Sequence, residues 1–303
     1  MIPIRASPER VTMSDFIQRF HFQDSPVRGE VVQLEQSVEA VLERHDYPER
    51  VRQLLGELMA ASVLLASTLK FEGSLILQAR GDGPLDTLMA ECNHLGQVRA
   101  IAQLGESWSD ASATLPLRQL LGDGQLAITI DPEEGERYQG IVPLDGDLLA
   151  ECIEHYFFQS EQLPTRLWLA SADGLAGGML LQVLPGRDPG SDEDAWPRLQ
   201  QLTDTVRPEE LLELPADELL YRLYHEETVE LFPPLEVVFA CSCSRERTEQ
   251  VLISLGQEEL YTLLEEQDRI AVSCQFCNQE YVFDTIDVEQ MLRGGSGQPP
   301  SLH

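Results

Sequence analysis

Basic side chains are scarce in this 303-residue chain, where 21 Lys and Arg face 52 Asp and Glu for a formal charge of −31. That imbalance argues against nucleic acid or an anionic membrane as partner, because affinity for phosphate comes from neutralisation by Lys and Arg. Long apolar runs are also lacking. None approaches the roughly 20 residues that a membrane helix needs, and Met1-Ile2-Pro3-Ile4-Arg5 shows neither a long apolar region nor a small-residue cleavage site. A cytoplasmic protein is expected. Thiols stay reduced in that compartment, so the six cysteines are expected to be metal ligands, redox switches or core residues, and not a permanent disulfide framework.

Catalytic signatures are missing too. The histidines at positions 21, 45, 94, 155, 225 and 303 are scattered, and no H-E-x-x-H, G-x-S-x-G or G-x-x-x-x-G-K-[ST] occurs. Gly81-Asp82-Gly83 reads as a turn and His155 as a packed helical residue. A thiol-disulfide oxidoreductase would open a helix with its C-x-x-C, whereas Cys277 precedes a strand-like run. The chain is not expected to be an enzyme.

Length, 43% hydrophobic and 24% charged residues point to one substantial domain and a smaller one. Strands are expected over 16–22 and 27–34 around the turn Gln23-Asp24-Ser25-Pro26, then a helix over 38–44. Pro48 suits a first helical position. Val51, Leu54, Leu55, Leu58, Met59, Ser62 and Leu65 follow at spacings of three and four, predicting a long helix that lies against a sheet. Further strands are read over 71–79, 85–91, 97–103, 126–130, 138–142, 165–170 and 178–184, with a helix over 148–159. No regular β-α-β alternation appears, so the fold class is α+β, built mainly on antiparallel strands.

Four segments emerge: 1–185, an N-terminal sheet domain packed with helices; 186–235, an acidic amphipathic linker; 236–293, a small four-cysteine domain; and 294–303, a disordered tail rich in Gly and Pro. The linker holds thirteen acids, four Arg and no Lys. Its apolar residues, among them Leu211, Leu219, Leu220, Leu223 and Tyr224, are too numerous for an inert tether. Short helices over 208–214 and 215–224 are expected to dock onto a neighbouring domain.

The chemistry concentrates in Cys241-Ser242-Cys243 and Cys274-Gln275-Phe276-Cys277. Thirty residues separate the pairs, enough for a helical hairpin to bring four thiolates around one tetrahedral zinc ion per chain. Ser244 is expected to cap the first hairpin helix, Asp287 to cap a last helix, and Tyr281-Val282-Phe283 to pack beneath the metal. The C-x-C spacing also suits thiols that exchange with a disulfide. Oxidation would most naturally pair neighbours, and rings that small constrain the chain little. It would therefore remove ligands and unfold more than it staples. A domain that unravels beside an amphipathic linker exposes apolar surface that could hold unfolded proteins. The competing readings are a constitutive structural zinc ribbon and a nucleic-acid ribbon; the latter is opposed by Glu246, Glu249, Glu258, Glu259, Glu265, Glu266 and Asp268 against Arg245, Arg247 and Arg269. Cys92 and Cys152, each among apolar residues, are expected to be buried and inert.

The strings Cys241-Ser-Cys-Ser-Arg-Glu-Arg247, Leu255-Gly-Gln-Glu-Glu-Leu260 and Val272-Ser-Cys-Gln-Phe-Cys277, followed by Tyr281 and Phe283, resemble the zinc domain of the redox-regulated 33 kDa chaperonin family of heat-shock holdases. Leu69-Lys-Phe-Glu-Gly73, Gln78-Ala-Arg-Gly-Asp-Gly-Pro84, Tyr138-Gln-Gly-Ile-Val-Pro143 and the run from Tyr156 to Thr165 are similar to its N-terminal domain. The resemblance covers about residues 15–292. It implies an ATP-independent bacterial cytoplasmic chaperone for thermally unfolding and oxidatively damaged proteins, inactive when reduced and zinc-bound. It further implies activation by disulfides Cys241–Cys243 and Cys274–Cys277, zinc release and linker unfolding, with a homodimer as the active form. Phe71, Tyr156, Phe157 and the linker leucines are candidates for the client surface.

Overall fold

The computed structural model of the protein describes residues 15–23, 25–70, 72–184, 192 and 194–294. Asp24 of the first expected turn, Phe71, most of the acidic run at 188–194 and the tail beyond 294 lie outside the described residues. The chain divides into two compact units, one ending at Ala240 and one beginning at Cys241.

The first unit opens with β1 (Phe16–Phe22), β2 (Val27–Leu34), α1 (Gln36–Leu42) and α2 (Glu49–Thr68). Strands β3 (Gly73–Arg80), β4 (Leu85–Asn93) and β5 (Gln97–Leu104) follow, then α3 (Leu117–Leu121), β6 (Gln125–Pro132), β7 (Tyr138–Pro143) and α4 (Leu149–Tyr156). After β8 (Thr165–Ala172) and β9 (Leu175–Val183) come three helices, α5 (Ala195–Thr203), α6 (Pro208–Glu213) and α7 (Ala216–Tyr224). Short strands β10 (Val229–Leu231), β11 (Leu235–Glu236) and β12 (Val238–Phe239) close the unit.

Two six-stranded sheets result. In the first, the order is β10-β1-β2-β9-β8, with β11 also on β1; in the second it is β12-β5-β4-β3-β6-β7. Among the described residues the ladders are antiparallel except β12 on β5, where Val238 and Phe239 run parallel to Gln97 and Val98. The α+β class holds, with that one parallel pairing added.

Helix α2 packs against strands of both sheets, β2, β8 and β9 on one side and β3, β4 and β5 on the other. The expected one-sided stripe accounts for half of this. Ala60, Val63 and Leu64 fill the opposite flank, so every residue from Leu58 to Ala66 is buried. A helix apolar all round is a core helix. Pro48 stands one place before the helix, its backbone extended at φ −58° and ψ 149°, and its carbonyl accepts from the N–H groups of Val51 and Arg52 at 2.9 and 3.0 Å.

The first sheet is covered on both faces. Ile17, Val32, Leu34 and Leu180 join the core around α2. Their neighbours of opposite parity, Phe20, Phe22, Val31, Met179 and Leu181, cluster with Leu199, Leu211, Leu219, Leu220, Leu223 and Tyr224 of α5 to α7. Period-two alternation thus aims one set at each layer. Polar contacts fasten the outer layer. Gln33 Nε2 donates to the Leu211 and Leu214 carbonyls at 2.9 and 2.8 Å, which are among those left open at the end of α6. The Trp168 indole donates to Asp204 at 3.0 Å, Arg198 pairs with Asp192 and Glu227 at 2.6 and 2.8 Å, and Tyr224 Oη meets Thr203 Oγ1.

The helix expected over 148–159 is shorter than read. It ends at Tyr156 and widens into a π-helical turn, Phe157–Glu161, closed by Gln162 in the left-handed region at φ 54°. The wide turn rotates the side chains. Tyr156 and Phe157, candidates for a client surface, are buried, and it is Phe158 that stands 77% exposed.

Candidate metal centre

The second unit comprises α8 (Arg245–Leu255), α9 (Gln257–Gln267), β13 (Ile270–Ser273), β14 (Glu280–Phe283) and α10 (Thr285–Gly294). Its core is small: Leu252, Leu260, Leu264, Ile270, Phe283, Val288 and Met291. The two cysteine motifs leave regular structure at points that fix their geometry.

Cys241 and Cys243 precede α8. Ser244 caps this helix as expected, its hydroxyl accepting from the Arg247 N–H at 3.2 Å. Arg247 reaches back to the Ser242 carbonyl at 2.8 Å, tying down the peptide between the two thiols. Arg245 fastens the same helix end to the rest of the unit. It donates to the Val282 carbonyl at 2.9 Å, pairs with Asp287 at 2.9 Å and Glu249 at 3.3 Å, and lies over the Phe283 ring.

Cys274 and Cys277 sit in the connection from β13 to β14. The Cys274 N–H donates to the Gln279 carbonyl at 2.9 Å and the Asn278 N–H to the Cys274 carbonyl at 2.8 Å, with Asn278 left-handed at φ 57°. This tight turn points both sulfurs to one side. Backbone N–H groups of Phe276 and Cys277 aim at the Cys274 sulfur, and that of Gln279 at Cys277.

The four sulfurs lie within 4.8 Å of one another. Cys241 and Cys274 approach to 3.7 Å and Cys243 and Cys277 to 3.3 Å. Tetrahedral ligation at about 2.3 Å per Zn–S bond sets neighbouring sulfurs about 3.8 Å apart. The donor set therefore fits a four-thiolate metal. Burial, followed by the neighbouring thiols, pushes Cys277 up to about 12, and burial also raises Cys274; both shifts favour the neutral thiol, so ligation of a cation by these groups would release protons.

Two features escaped the sequence reading. Asp287 is not the cap of the last helix: it sits inside the first turn, where its carboxylate accepts from the Asp284 N–H at 3.0 Å while Asp284 accepts from the Asp287 N–H at 2.9 Å. Asp284 is the cap, and the D-x-x-D spacing was its signal. Tyr281, expected only to pack, donates its hydroxyl to Cys243 Sγ at 3.3 Å. Cys92 and Cys152 lie in the first unit, buried and apart from the cluster, with burial pushing Cys92 up to about 12 and raising Cys152.

Comparison with known proteins places the chain as a whole. The model of the family described as Hsp33 protein matches residues 15–284. A 33 kDa chaperonin of Pseudomonas aeruginosa is 51% identical over 292 residues, covering 95% of this chain and 98% of the relative. One from Shewanella loihica is 49% identical over 280 residues, 92% and 96% of the two chains. Among solved structures, the 33 kDa chaperonin of Thermotoga maritima superposes with a TM-score of 0.77 over 92% of this chain and 98% of its own; at 22% identity it speaks for the fold.

Proposed function

Because this chain belongs to the Hsp33 family of heat-shock chaperones, we propose that it is a redox-regulated holdase that keeps unfolding and oxidatively damaged proteins from aggregating. Its relatives carry the name of chaperonins, a function without catalysis. The reading is carried by one observation: a chain that clusters four thiols in a small unit also covers an apolar sheet face with short amphipathic helices.

In the resting state Cys241, Cys243, Cys274 and Cys277 hold one zinc ion. When bound, zinc gathers the four thiolate charges and supplies folding free energy, about 10–16 kcal/mol for structural sites at neutral pH. The small core around Phe283 replaces little of that. Oxidation of the thiols by peroxide or hypochlorite, pairing Cys241 with Cys243 and Cys274 with Cys277, removes all four ligands. The loops so closed are too short to stabilise the unit in return.

From Tyr224 the chain runs through β10 to β12 directly into Cys241, so unfolding that begins at the cysteines propagates toward α5–α7. Their release uncovers Phe20, Phe22, Val31, Met179 and Leu181 together with the apolar stripes of the helices themselves. At roughly 25 cal/mol per Å² such a face is adhesive to exposed apolar chain. A formal charge of −31 keeps the loaded assemblies apart. The active form is a homodimer, its partners are unfolded clients and neither nucleic acid nor membrane, and its compartment is the cytoplasm. Among the described residues, no helix is long and apolar enough to cross a membrane.

The test is to follow zinc, free thiols and aggregation of a heat-unfolded client on one sample during peroxide treatment at raised temperature. The expected result is about one zinc per chain lost in step with four thiols as aggregation is suppressed. Zinc retained through oxidation, with aggregation unchanged, would identify a constitutive structural ribbon instead.

A further inference from the structure

The Tyr281 hydroxyl stands where it can act on one thiol of the cluster and not merely pack beneath it. Its ring is immobilised from two directions. The residue pairs with Val272 across the β13–β14 ladder. Two places along the same strand face, Phe283 is fully buried, and Tyr281 and Val272 both pack against that core. A phenol fixed in this way has one free torsion, the hydroxyl rotor, and its oxygen lies 3.3 Å from Cys243 Sγ. Cys243 in turn lies 3.3 Å from Cys277. Cys274 and Cys277 take their hydrogen bonds from backbone N–H groups of their own turn, whereas the Cys243 donor comes from a side chain 38 residues further along the chain.

We propose that Tyr281 is a positioning residue that restrains oxidation at Cys243 by donating a hydrogen bond to its metal-bound thiolate. A hydrogen bond to an ionised group is among the strong ones, and one made to a ligand from outside the coordination shell tunes that ligand's reactivity. The sulfur lone pair that accepts the phenolic proton is the density that must attack the oxidant. In the reaction with peroxide, the Cys243 sulfur takes one oxygen as the O–O bond breaks, giving a sulfenic acid and hydroxide. A second cysteine thiolate then attacks that sulfur, forming the S–S bond and expelling the other hydroxide. The two thiolates supply the two electrons that reduce the peroxide. The hydrogen bond weakens as the first of these steps begins, so its loss accelerates attack at Cys243 alone.

The inference rests on the metal-thiolate reading of the cluster, and its experiment separates the two. Zinc-loaded full-length chain and its Tyr281→Phe variant are exposed to iodoacetamide, and separately to hydrogen peroxide, at amounts that modify only a small fraction of chains. The first site hit is read by peptide mass spectrometry, and zinc per chain is measured on the same sample. The expected result is equal zinc in both proteins and a Cys243 share that rises roughly three- to tenfold relative to Cys274 in the variant. An unchanged ratio would overturn the proposal, as would an equal acceleration at all four cysteines, which is what a merely loosened domain gives. Failure of the wild-type protein to hold zinc would instead overturn the underlying reading. Replacing Tyr281 by 3-fluorotyrosine, a stronger donor, provides the opposite sign: the Cys243 share falls below wild type, and a share that stays level or rises contradicts the inference.

Discussion

Glu30 is a residue whose chemistry opposes its surroundings. It sits on β2 with its side chain buried against α2, accepting from the Ser67 hydroxyl, while its other oxygen is without a hydrogen-bond partner among the described residues. Burial outweighs Ser67, Arg28 and Arg19 and pushes its carboxyl up to about 7. The folded state therefore holds a proton that the unfolded chain releases near pH 4.5. Stability from this group is fully present below that point and is lost as pH rises toward 7. Glu30→Gln is expected to stabilise the first unit by on the order of 2–3 kcal/mol at pH 8, with the gain vanishing near pH 4.5; urea unfolding at several pH values measures it. Ser244→Ala removes the acceptor for the Arg247 N–H and is expected to cost the metal-loaded second unit about 1 kcal/mol, read as a lower melting temperature. At this scale the clustering of the four thiols was legible because C-x-C and C-x-x-C spacing holds each pair of sulfurs close together. The Glu30 carboxyl, the Gln33 clamp and the Tyr281 hydroxyl were not, because each depends on a partner dozens to hundreds of residues away.

At the scale of elements, the boundaries of β1, β2 and β13 follow directly from β-branched and aromatic runs closed by turn residues, and α8 from its Ser cap and Gly256 stop. Less legible were elements whose local signals conflict. Helix α5 contains Pro197 and borders an acidic run, yet Pro is tolerated in a first helical turn, and Leu199 fills the cluster beneath it. The 148–159 stretch reads as one helix by periodicity, but the chain must return to β8, and the π turn at Phe157 absorbs the mismatch. Close backbone approach is equally hidden. A Cβ on Gly177 would stand 2.5 Å from the Leu211 carbonyl oxygen, so α6 rests almost on the bare strand. Gly177→Ala is expected to force α6 outward at a cost of about 1–3 kcal/mol and to speed amide exchange in α5–α7 by roughly tenfold while leaving α2 protected. Leu219→Ala empties a fully buried position in the same layer and is expected to loosen it by about 2–5 kcal/mol. Client aggregation assays on both variants should show activity at lower oxidant than wild type requires; unchanged oxidant dependence would mean that this layer does not set the threshold.

At the scale of the molecule, stability is distributed unevenly. Helix α2 between two sheets forms the deep core of the first unit, whereas the buried apolar cluster of the second, among the described residues, numbers seven. Removing the metal with a chelator from the reduced protein is therefore expected to abolish the α8–α10 signals while α2 keeps its protection, checked by amide exchange. The α+β class was evident from the absence of β-α-β alternation. That the first sheet is buried on both faces was not, since strands covered on both sides read much like strands covered on one. Oxidation of the four thiols is expected to free the α5–α7 layer from its sheet. Amide-exchange mass spectrometry of the zinc-loaded reduced protein and of the same protein after four thiols are oxidised tests it most directly. Protection is expected to disappear from residues 195–224 while α2 is unchanged; protection of 195–224 that survives complete oxidation and zinc loss would mean that the thiols do not control this layer.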